Sequence, residues 1–480
     1  MSFFKNLAFE AGVMARSLGD YVRGPALRLG VTGLSRSGKT VFVTSLVNNL
    51  LARGRLPVLA ASAEGRIARA QLDPQPDDAV PRFPYEEHLA ALSGPGRHWP
   101  QSTRRISELR LRIDFARAGG WSPGPARLDL DIVDYPGEWL LDLPLLDKTY
   151  ARWSNETIAA SRAPARAPLA GAWLAHLDGL DPQGAFDEDA ARAAAMLFTE
   201  YLRAARGDAY ALSTLPPGRF LMPGDLEGSP ALTFAPLPVE EGVEPAAGSL
   251  AAMMQRRYES YKTHVVKPFF RDHFSRLDRQ IVLVDALGAL NSGPAAMRDL
   301  ENAMTEVMRA FRAGRASTLG SIFRPRVDRI LFAATKADHL HHTSHDRLEA
   351  ILRVLTAKAI ARAKGVGADI DVIALASVRA TREATIRHDG EELSAIIGVP
   401  ELGERIGDQV FDGAAEAAVF PGELPENPES LFDGDALALP EADNALRFVR
   451  FRPPIYPKGT AAPHIRLDRA LQFLIGDRLA

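Results

Sequence analysis

Cysteine is absent from all 480 residues. That excludes a disulfide framework, a thiolate metal site and a cysteine nucleophile, and it agrees with a reducing compartment without requiring one. Long apolar runs are missing too. The nearest to one, Ala170 to Leu180, is broken by His176 and Asp178, so no membrane-spanning helix is expected. Excess charge is also lacking: a net charge of −3 gives no bulk attraction to nucleic acid. The opening residues, Met1-Ser2-Phe3-Phe4-Lys5, lack the apolar run of a signal peptide, and a cytoplasmic setting is expected. What remains is ordinary for a globular chain of two or more domains, with 46% apolar and 24% charged residues.

The most informative stretch present is Gly33-Leu34-Ser35-Arg36-Ser37-Gly38-Lys39-Thr40. It fits the phosphate-loop pattern GxxxxGK[ST] at every fixed position. A short apolar strand, Leu27 to Thr32, precedes it. A helix follows, with Phe42, Leu46 and Leu50 on one face, and Gly54 and Pro57 stop it. A loop between strand and helix lets backbone N–H groups converge on phosphate oxygens. The cradle expected from this is Ser35, Arg36, Ser37, Gly38, Lys39, Thr40 and Val41. Lys39 would reach the terminal phosphates, and the Thr40 hydroxyl would ligand Mg²⁺.

Along the chain, residues up to about Pro25 show helical spacing at Phe4, Leu7, Ala11, Met14 and Leu18. That helix would pack on the core, or touch a membrane through Lys5, Arg16 and Arg23. Pro74 to Pro100 reads as an extended loop. Arg110 to Phe115 and Ala126 to Asp134 alternate in polarity and predict a hairpin. Ala159 to Arg206 is mostly helical, Leu215 to Gly248 irregular, and Met253 to Asp278 a helix interrupted by Pro268. Strands at Ile281 to Asp285, Arg329 to Ala334 and Ile370 to Ala376 then alternate with helices at Ala295 to Ala313 and Leu348 to Lys364. This alternation predicts a parallel sheet covered by helices. Leu140 to Leu277 does not alternate and reads as a helical insertion. Thr385 to Pro457 suggests hairpins and loops, and Leu467 to Leu474 a final helix.

Three further elements occur in the order a small GTPase requires. Asp134-Tyr135-Pro136-Gly137 closes the second hairpin strand. Asp134 there would hold Mg²⁺ through water, and the Gly137 N–H would approach a γ-phosphate with no Cβ in the way. Thr335-Lys336-Ala337-Asp338 ends a strand and resembles the guanine motif Asn-Lys-x-Asp. The Asp338 carboxylate would accept from guanine N1–H and the 2-amino group. Adenine offers an acceptor and a C–H instead, and a site built on buried hydrogen bonds rejects such a partner by roughly 10⁴. The Lys336 stem would lie along base and ribose. Thr335 replaces the usual Asn, which ties this loop to the phosphate loop. Leu375-Ala376-Ser377-Val378 resembles the Ser-Ala-x loop whose N–H meets the guanine carbonyl.

A second Mg²⁺ ligand is expected from Thr103, just before the first hairpin strand, with Ser102 as competitor. Glu138 stands where Ras-like enzymes carry a water-positioning Gln. It would orient water, or slow attack through its own charge. Arg36 would neutralise phosphate charge in cis, or point outward. The expected catalytic set is thus Lys39, Gly137, Glu138 and Thr103, and the metal set Thr40, Asp134 and Thr103. Spacing is long for a Ras-sized protein: roughly fifty extra residues lie between Thr40 and Asp134, and over a hundred between Gly137 and Thr335. His341 and His345 are spaced for a metal site, but no HExxH-type carboxylate accompanies them. Packing beside the base loop and opening a helix is the simpler reading.

The four motif runs, Val31 to Thr40, Asp134 to Asp142, Ala334 to His339 and Leu375 to Thr381, resemble the YcjX family of bacterial stress-associated, Ras-like P-loop proteins. Val419-Phe420-Pro421-Gly422-Glu423, Phe451-Arg452-Pro453 and His464 to Asp477 look like that family's C-terminal signature. The resemblance runs from about Arg28 to the last residue. It implies a Ras-like α/β P-loop fold, GTP and GDP binding with Mg²⁺, and a stress-response association; the Thr of the guanine motif belongs to the family pattern. The expected division is 1–139 and 278–384 as two parts of the Ras-like domain, 140–277 as a helical insertion, and 385–480 as a C-terminal β/loop extension ending in a helix. The function expected is GTP hydrolysis driving a conformational switch, with an unidentified protein effector on the insertion. A scaffold that barely hydrolyses and an ATPase are the alternatives.

Overall fold

The computed structural model describes residues 26–480 apart from Ser35, Ser102, Arg104, 119–123, 208–209, 314–326, Val366, Asp389, 433–447 and Lys458. The helix expected over the first 25 residues, with its membrane contact, lies outside the described residues. Among those described, no helix is long and apolar enough to cross a membrane.

The strands of the main sheet are β1 (Leu27–Gly33), β2 (Ile67–Asp73), β3 (Ser107–Ala116), β4 (Pro125–Asp134), β5 (Arg279–Val284), β6 (Arg329–Ala334) and β7 (Asp369–Ala374). They lie in the order β2-β3-β4-β1-β5-β6-β7. The hairpin β3–β4 and the edge strand β2 pair antiparallel. From β4 across to β7 every neighbour is parallel. This is the α/β P-loop fold, a parallel-rich sheet flanked by helices.

Alternation along the strands divides the core in two. Ile281, Leu283, Leu331, Ala333 and Ile373 face one side with α1 (Lys39–Leu51). Val282, Val284, Ile330, Phe332 and Val372 face the other. A period of 2 sends successive side chains to opposite faces, and burial on both faces makes β5 and β6 continuous apolar runs. In β3 and β4 the two faces differ. Leu109, Leu111, Ile113, Leu130 and Ile132 are buried on the α1 side. The other face carries an Arg110–Asp131 bidentate pair with N–O distances of 2.6 and 2.7 Å.

One expectation is corrected at the front of the chain, and one strand was not foreseen. The Pro-rich stretch 74–100 holds a helix, α2 (Tyr85–Ser93), starting directly after Pro84 and carrying Glu86 and Glu87 in its first turn. Proline is compatible with a helix entry, and acidic residues there suit the helix dipole. The strand β2 had no expectation at all; its burial is only partial along its length, as befits an edge.

Between β4 and β5 come α3 (Tyr150–Ser161), α4 (Ala167–Asp178), α5 (Glu188–Arg206) and α6 (Leu250–Tyr261). Thr149, Asp187 and Ser249 cap α3, α5 and α6 through their side chains, which satisfies N–H groups that have no intrahelical partner. Pro268 does not break the last helix. A π turn, Lys262–Val266, carries α6 into Lys267–Asp272, and the wider turn accommodates a residue that has no N–H to donate. These helices have no core of their own. Trp153, Trp173, Phe198 and Phe234 belong to one apolar cluster that continues through Val282, Phe332 and Val372 on the sheet and through α7 (Pro294–Ala313) and α8 (His345–Leu355). The helix expected over 348–364 is two, α8 and α9 (Ala357–Lys364), parted at Thr356.

The tail forms a small antiparallel sheet of β8 (Arg382–His388), β9 (Glu391–Gly398) and β10 (Ala417–Val419). The last helix, α10 (Leu467–Ile475), returns to the main sheet. Its Leu467, Ala470, Leu471 and Leu474 join the α1-side core, and the Leu474 carbonyl accepts from the buried Arg279 of β5 at 3.2 Å.

One buried carboxylate ties the turn after β4 to the intervening helices. Asp142 accepts from the Gly218 N–H at 2.7 Å and from the Tyr261 hydroxyl at 2.7 Å. Burial nevertheless pushes its pKa up to about 7, with those bonds opposing the rise. A raised folded-state pKa stabilises the fold fully below about pH 4, and that contribution is lost as pH rises through about 7. Asp142→Asn keeps the shape and cannot ionise. It should therefore gain stability relative to wild type between pH 5 and pH 8, by up to a few kcal/mol (~2–4). Thermal melts of both proteins across that range check this; a difference independent of pH would contradict it.

Candidate functional site

The C-terminal ends of β1, β4, β5, β6 and β7 open into one cavity of about 610 Å³. Ligands of open α/β sheets bind at such strand ends. A larger cleft, about 840 Å³, lies beside Trp139 and includes none of the phosphate-loop residues; the donor set, not the volume, locates the site.

At one end sits the phosphate loop. Gly38 takes a left-handed conformation, φ 80°, directly before α1, which glycine adopts without steric cost. The buried Lys39 reaches back, its Nζ donating to the Gly33 carbonyl at 2.7 Å. The Ser37 hydroxyl is buried without a partner. Arg36, Ser37, Gly38, Lys39, Thr40 and Val41 all line the cavity, while Ser35 lies outside the described residues.

The end of β4 presses on this loop. A Cβ added to Gly137 would lie 1.7 Å from the Gly33 carbonyl oxygen and 2.9 Å from Lys39 Nζ. Three expected metal ligands meet here. Thr103 Oγ1 donates to Asp134 Oδ2 at 2.6 Å and lies 3.1 Å from Thr40 Oγ1. Asp134 Oδ1 is buried with no partner among the described residues. Burial raises the Asp134 pKa to about 6, against the pull of Lys39 and the Thr103 hydroxyl. Two hydroxyls and a carboxylate with one oxygen unsatisfied are a hard-oxygen set that fits Mg²⁺ with water in its remaining positions. Ser102, the competitor, lies outside the described residues.

Glu138 is also at this end, buried, with Oε1 accepting from Arg206 Nη1 at 3.0 Å. Arg36 lines the cavity, and its Nη2 donates to the Arg206 carbonyl at 3.0 Å. Arg206 closes α5 and escaped the sequence reading, because nothing local in Leu202 to Arg206 marks one arginine over its neighbours.

The other end is built from β5, β6 and β7. Lys336 is left-handed, φ 61°, and its ammonium pairs with Asp285 at the end of β5. Thr335 donates from its backbone N–H to the Val284 carbonyl at 2.9 Å, so it ties the motif to β5. Asp338 is buried, and the Ala380 N–H donates to its Oδ2 at 2.8 Å, which fixes the carboxylate plane. Ser377 lines the cavity, and its carbonyl accepts from Ser45 of α1. Val378 also lines it and packs with Leu92 and Tyr456.

The tail supplies a wall that sequence reasoning missed. Glu401, Glu404, Phe448, Arg450 and Phe451 line this end. His339 meets Phe451 edge-on with ring centres 5.5 Å apart, and Trp99 Nε1 donates to the Phe451 carbonyl at 2.6 Å. The histidine spacing resolves differently from its i, i+4 pattern. His345 opens α8 and is buried, Nε2 lying 2.8 Å from the Ala337 carbonyl. His341 instead groups with His342 and Glu383.

A family model described as YcjX-like family, DUF463, matches residues 27–479. The chain belongs to the YcjX-like family. It is 40% identical over 465 residues to the "Ras-like GTPase YcjX" of Escherichia coli K12, covering 94% of this chain and 96% of that protein. It is 33% identical over 482 residues to a protein of the same name from Shewanella oneidensis MR-1, with 94% of each chain covered. In this YcjX-like chain the loop, the Asp134 turn and the Asp338 motif converge on a single cavity.

Lys39→Ala should weaken nucleoside-triphosphate binding by roughly 2–4 kcal/mol, the range for losing a charge-assisted contact. The fold should persist, because the ammonium bonds only to loop carbonyls. Titration calorimetry beside a thermal melt checks both halves; wild-type affinity in the variant would remove the loop from the binding site.

Proposed function

We propose that this chain binds GTP and GDP with Mg²⁺, hydrolyses GTP to GDP and phosphate, and works as a conformational switch. The observation that carries the reading is the meeting of Thr40, Thr103 and Asp134 at one end of the cavity that holds Asp338 at the other. Such an arrangement brackets a nucleotide from both sides. Lys39 and the loop amides take the β- and γ-phosphates. Thr40, Thr103 and Asp134 would hold Mg²⁺, which would supply positive charge to offset that of the phosphates. The Asp338 carboxylate accepts from guanine, with the Lys336 stem and the Ser377 loop along the base. The names of the relatives, each a Ras-like GTPase, support the guanine reading. The family resemblance adds a bacterial stress setting, and the composition adds a cytoplasmic one.

The switch reading follows from Gly137. Its Cα packs against the phosphate loop, and the chain leads from it through Glu138 and Trp139 into the Asp142 clamp on Gly218 and Tyr261. A γ-phosphate contact there bears directly on the intervening helices, the expected surface for a protein effector. A second reading, a nucleotide-stabilised scaffold with little hydrolysis, is favoured by one observation: Glu138 stands where a glutamine would position water, and Arg206 already holds it.

Asp338→Asn should shift base preference toward xanthosine nucleotides, because an amide donor complements a 2-oxo group where a carboxylate complements a 2-amino group. Affinities for GTP, GDP, ATP and xanthosine triphosphate, measured side by side on both proteins, check it. Unaltered GTP affinity with no gain for xanthosine would overturn the guanine assignment.

Hydrogen exchange should differ between GDP and a non-hydrolysable GTP analogue at residues 102–110 and 134–142 and in α3. Identical exchange across Asp134 to Asp142 in the two states would leave the scaffold reading in front.

A further inference from the structure

Arg206 is the one basic side chain that the helices between β4 and β5 contribute to the described lining of the nucleotide cavity. It shares that lining with Ser37, Lys39 and Thr40. Its side chain is 30% exposed, against 5% for its partner Glu138. The carboxylate is therefore fixed, whereas the guanidinium has room to move. The backbone beneath it is anchored. Arg206 ends α5, where carbonyls lack intrahelical donors, and Arg36 of the phosphate loop donates to its carbonyl at 3.0 Å.

Glu138 adjoins Gly137, whose missing Cβ would sit 2.9 Å from Lys39 Nζ. Lys39 and Glu138 also line the same cavity, so a γ-phosphate bound by Lys39 would share it with the Glu138 carboxylate. Two anions in a water-poor cavity repel each other strongly, and a cation shared between them removes that conflict. Among the described residues, Arg206 is the cation paired with Glu138. Guanidinium is suited to the task, since its planar fork bonds carboxylate and phosphate oxygens equally well.

We propose that Arg206 is a catalytic residue gated by the nucleotide. With GDP or no nucleotide it stays paired to Glu138. When GTP enters, the fork turns onto the γ-phosphate oxygens, and the freed Glu138 carboxylate accepts a hydrogen bond from the attacking water. The step is ordinary hydrolysis. The water oxygen bonds to Pγ, the bond from Pγ to the bridging oxygen breaks, its electron pair leaves with GDP, and the water proton ends on inorganic phosphate. Because Arg206 terminates α5, the same exchange reports the γ-phosphate to the intervening helices. This inference rests on the GTP reading above.

The test uses the full chain with Mg²⁺ and fluorescent GTP and GDP, in binding and single-turnover assays, on wild type, Arg206→Ala, Arg206→Gln, Arg206→Lys and the double variant Arg206→Ala with Glu138→Gln. The Ala and Gln variants should lose about 100-fold in single-turnover rate, the scale of a lost transition-state donor. GTP affinity should fall while GDP affinity moves less than about threefold, since the exchange involves only the γ-phosphate. Lysine should restore part of the rate, having the charge but not the fork. In the double variant GTP affinity should return, because the unpaired carboxylate is gone, while the rate stays low. Wild-type rates in the Arg206→Ala and Arg206→Gln variants, or equal losses for GTP and GDP, would overturn the inference and leave GTP binding standing. A wild-type protein that binds neither guanine nucleotide would overturn the GTP reading and this inference together.

Discussion

Everything at the phosphate end depends on an absence of atoms. The turn after β4 closes onto the phosphate loop so tightly that a single methyl at Gly137 would overlap the Gly33 carbonyl at 1.7 Å. That approach is set by the parallel pairing of β1 with β4, which aligns Val31 with Asp134. Glycine at 137 lets the two strand ends meet without a side chain between them. The contact then draws Asp134, Thr103 and Thr40 within hydrogen-bonding distance, and it puts Lys39 beside the turn that would sense a third phosphate. A bulkier residue would hold the strand ends apart and separate the carboxylate from the hydroxyls.

The same closeness makes the cavity electrostatically expensive before any ligand arrives. Burial raises Asp134 to about 6, opposed by Lys39 and Thr103. Glu138, a second buried carboxylate, meets its cation from α5. A site that holds anions in a poorly solvated pocket binds a divalent cation and basic side chains strongly, because they remove a cost already present. At the base end the arrangement is calmer: Lys336 pairs with Asp285, and Asp338 takes a backbone N–H. In the proposed function the chemistry belongs to the first end and the selectivity to the second.

How much of this was legible in the sequence follows from the range of the interactions. The phosphate loop, the Asp134 turn and the base motif are runs of neighbouring residues whose spacing is itself the mechanism, so they could be read directly. Strands β3 to β7 announced themselves through period-2 alternation or continuous apolar runs. The misses are of two kinds. Helix α2 is short, lies among prolines and aspartates, and buries only Tyr85 and Leu92, too little periodicity to outweigh its turn-rich surroundings. Arg206, Glu404, Arg450 and Phe451 reach the site through contacts across the fold, and their local sequence carries no mark of it. The histidine run divides: His345 opens α8 beside the base loop, as its simpler reading had it, while His341 and His342 meet Glu383 of β8, a strand about forty residues further on.

The position of α10 bears on how the chain is made. Its Leu467, Ala470, Leu471 and Leu474 cover the α1-side face of the central strands, and Arg279 and Arg329 of β5 and β6 donate to the Leu474 and Phe473 carbonyls. During synthesis, β1 to β7 leave the ribosome well before this cover does. For that interval Ile281, Leu283 and Leu331 present an apolar surface with its lid still unmade, the kind of surface on which nascent chains aggregate or are held by chaperones. A nucleotide site whose motifs are all translated by Val378 thus waits on the last turns of the polypeptide for a sheet rigid enough to use them.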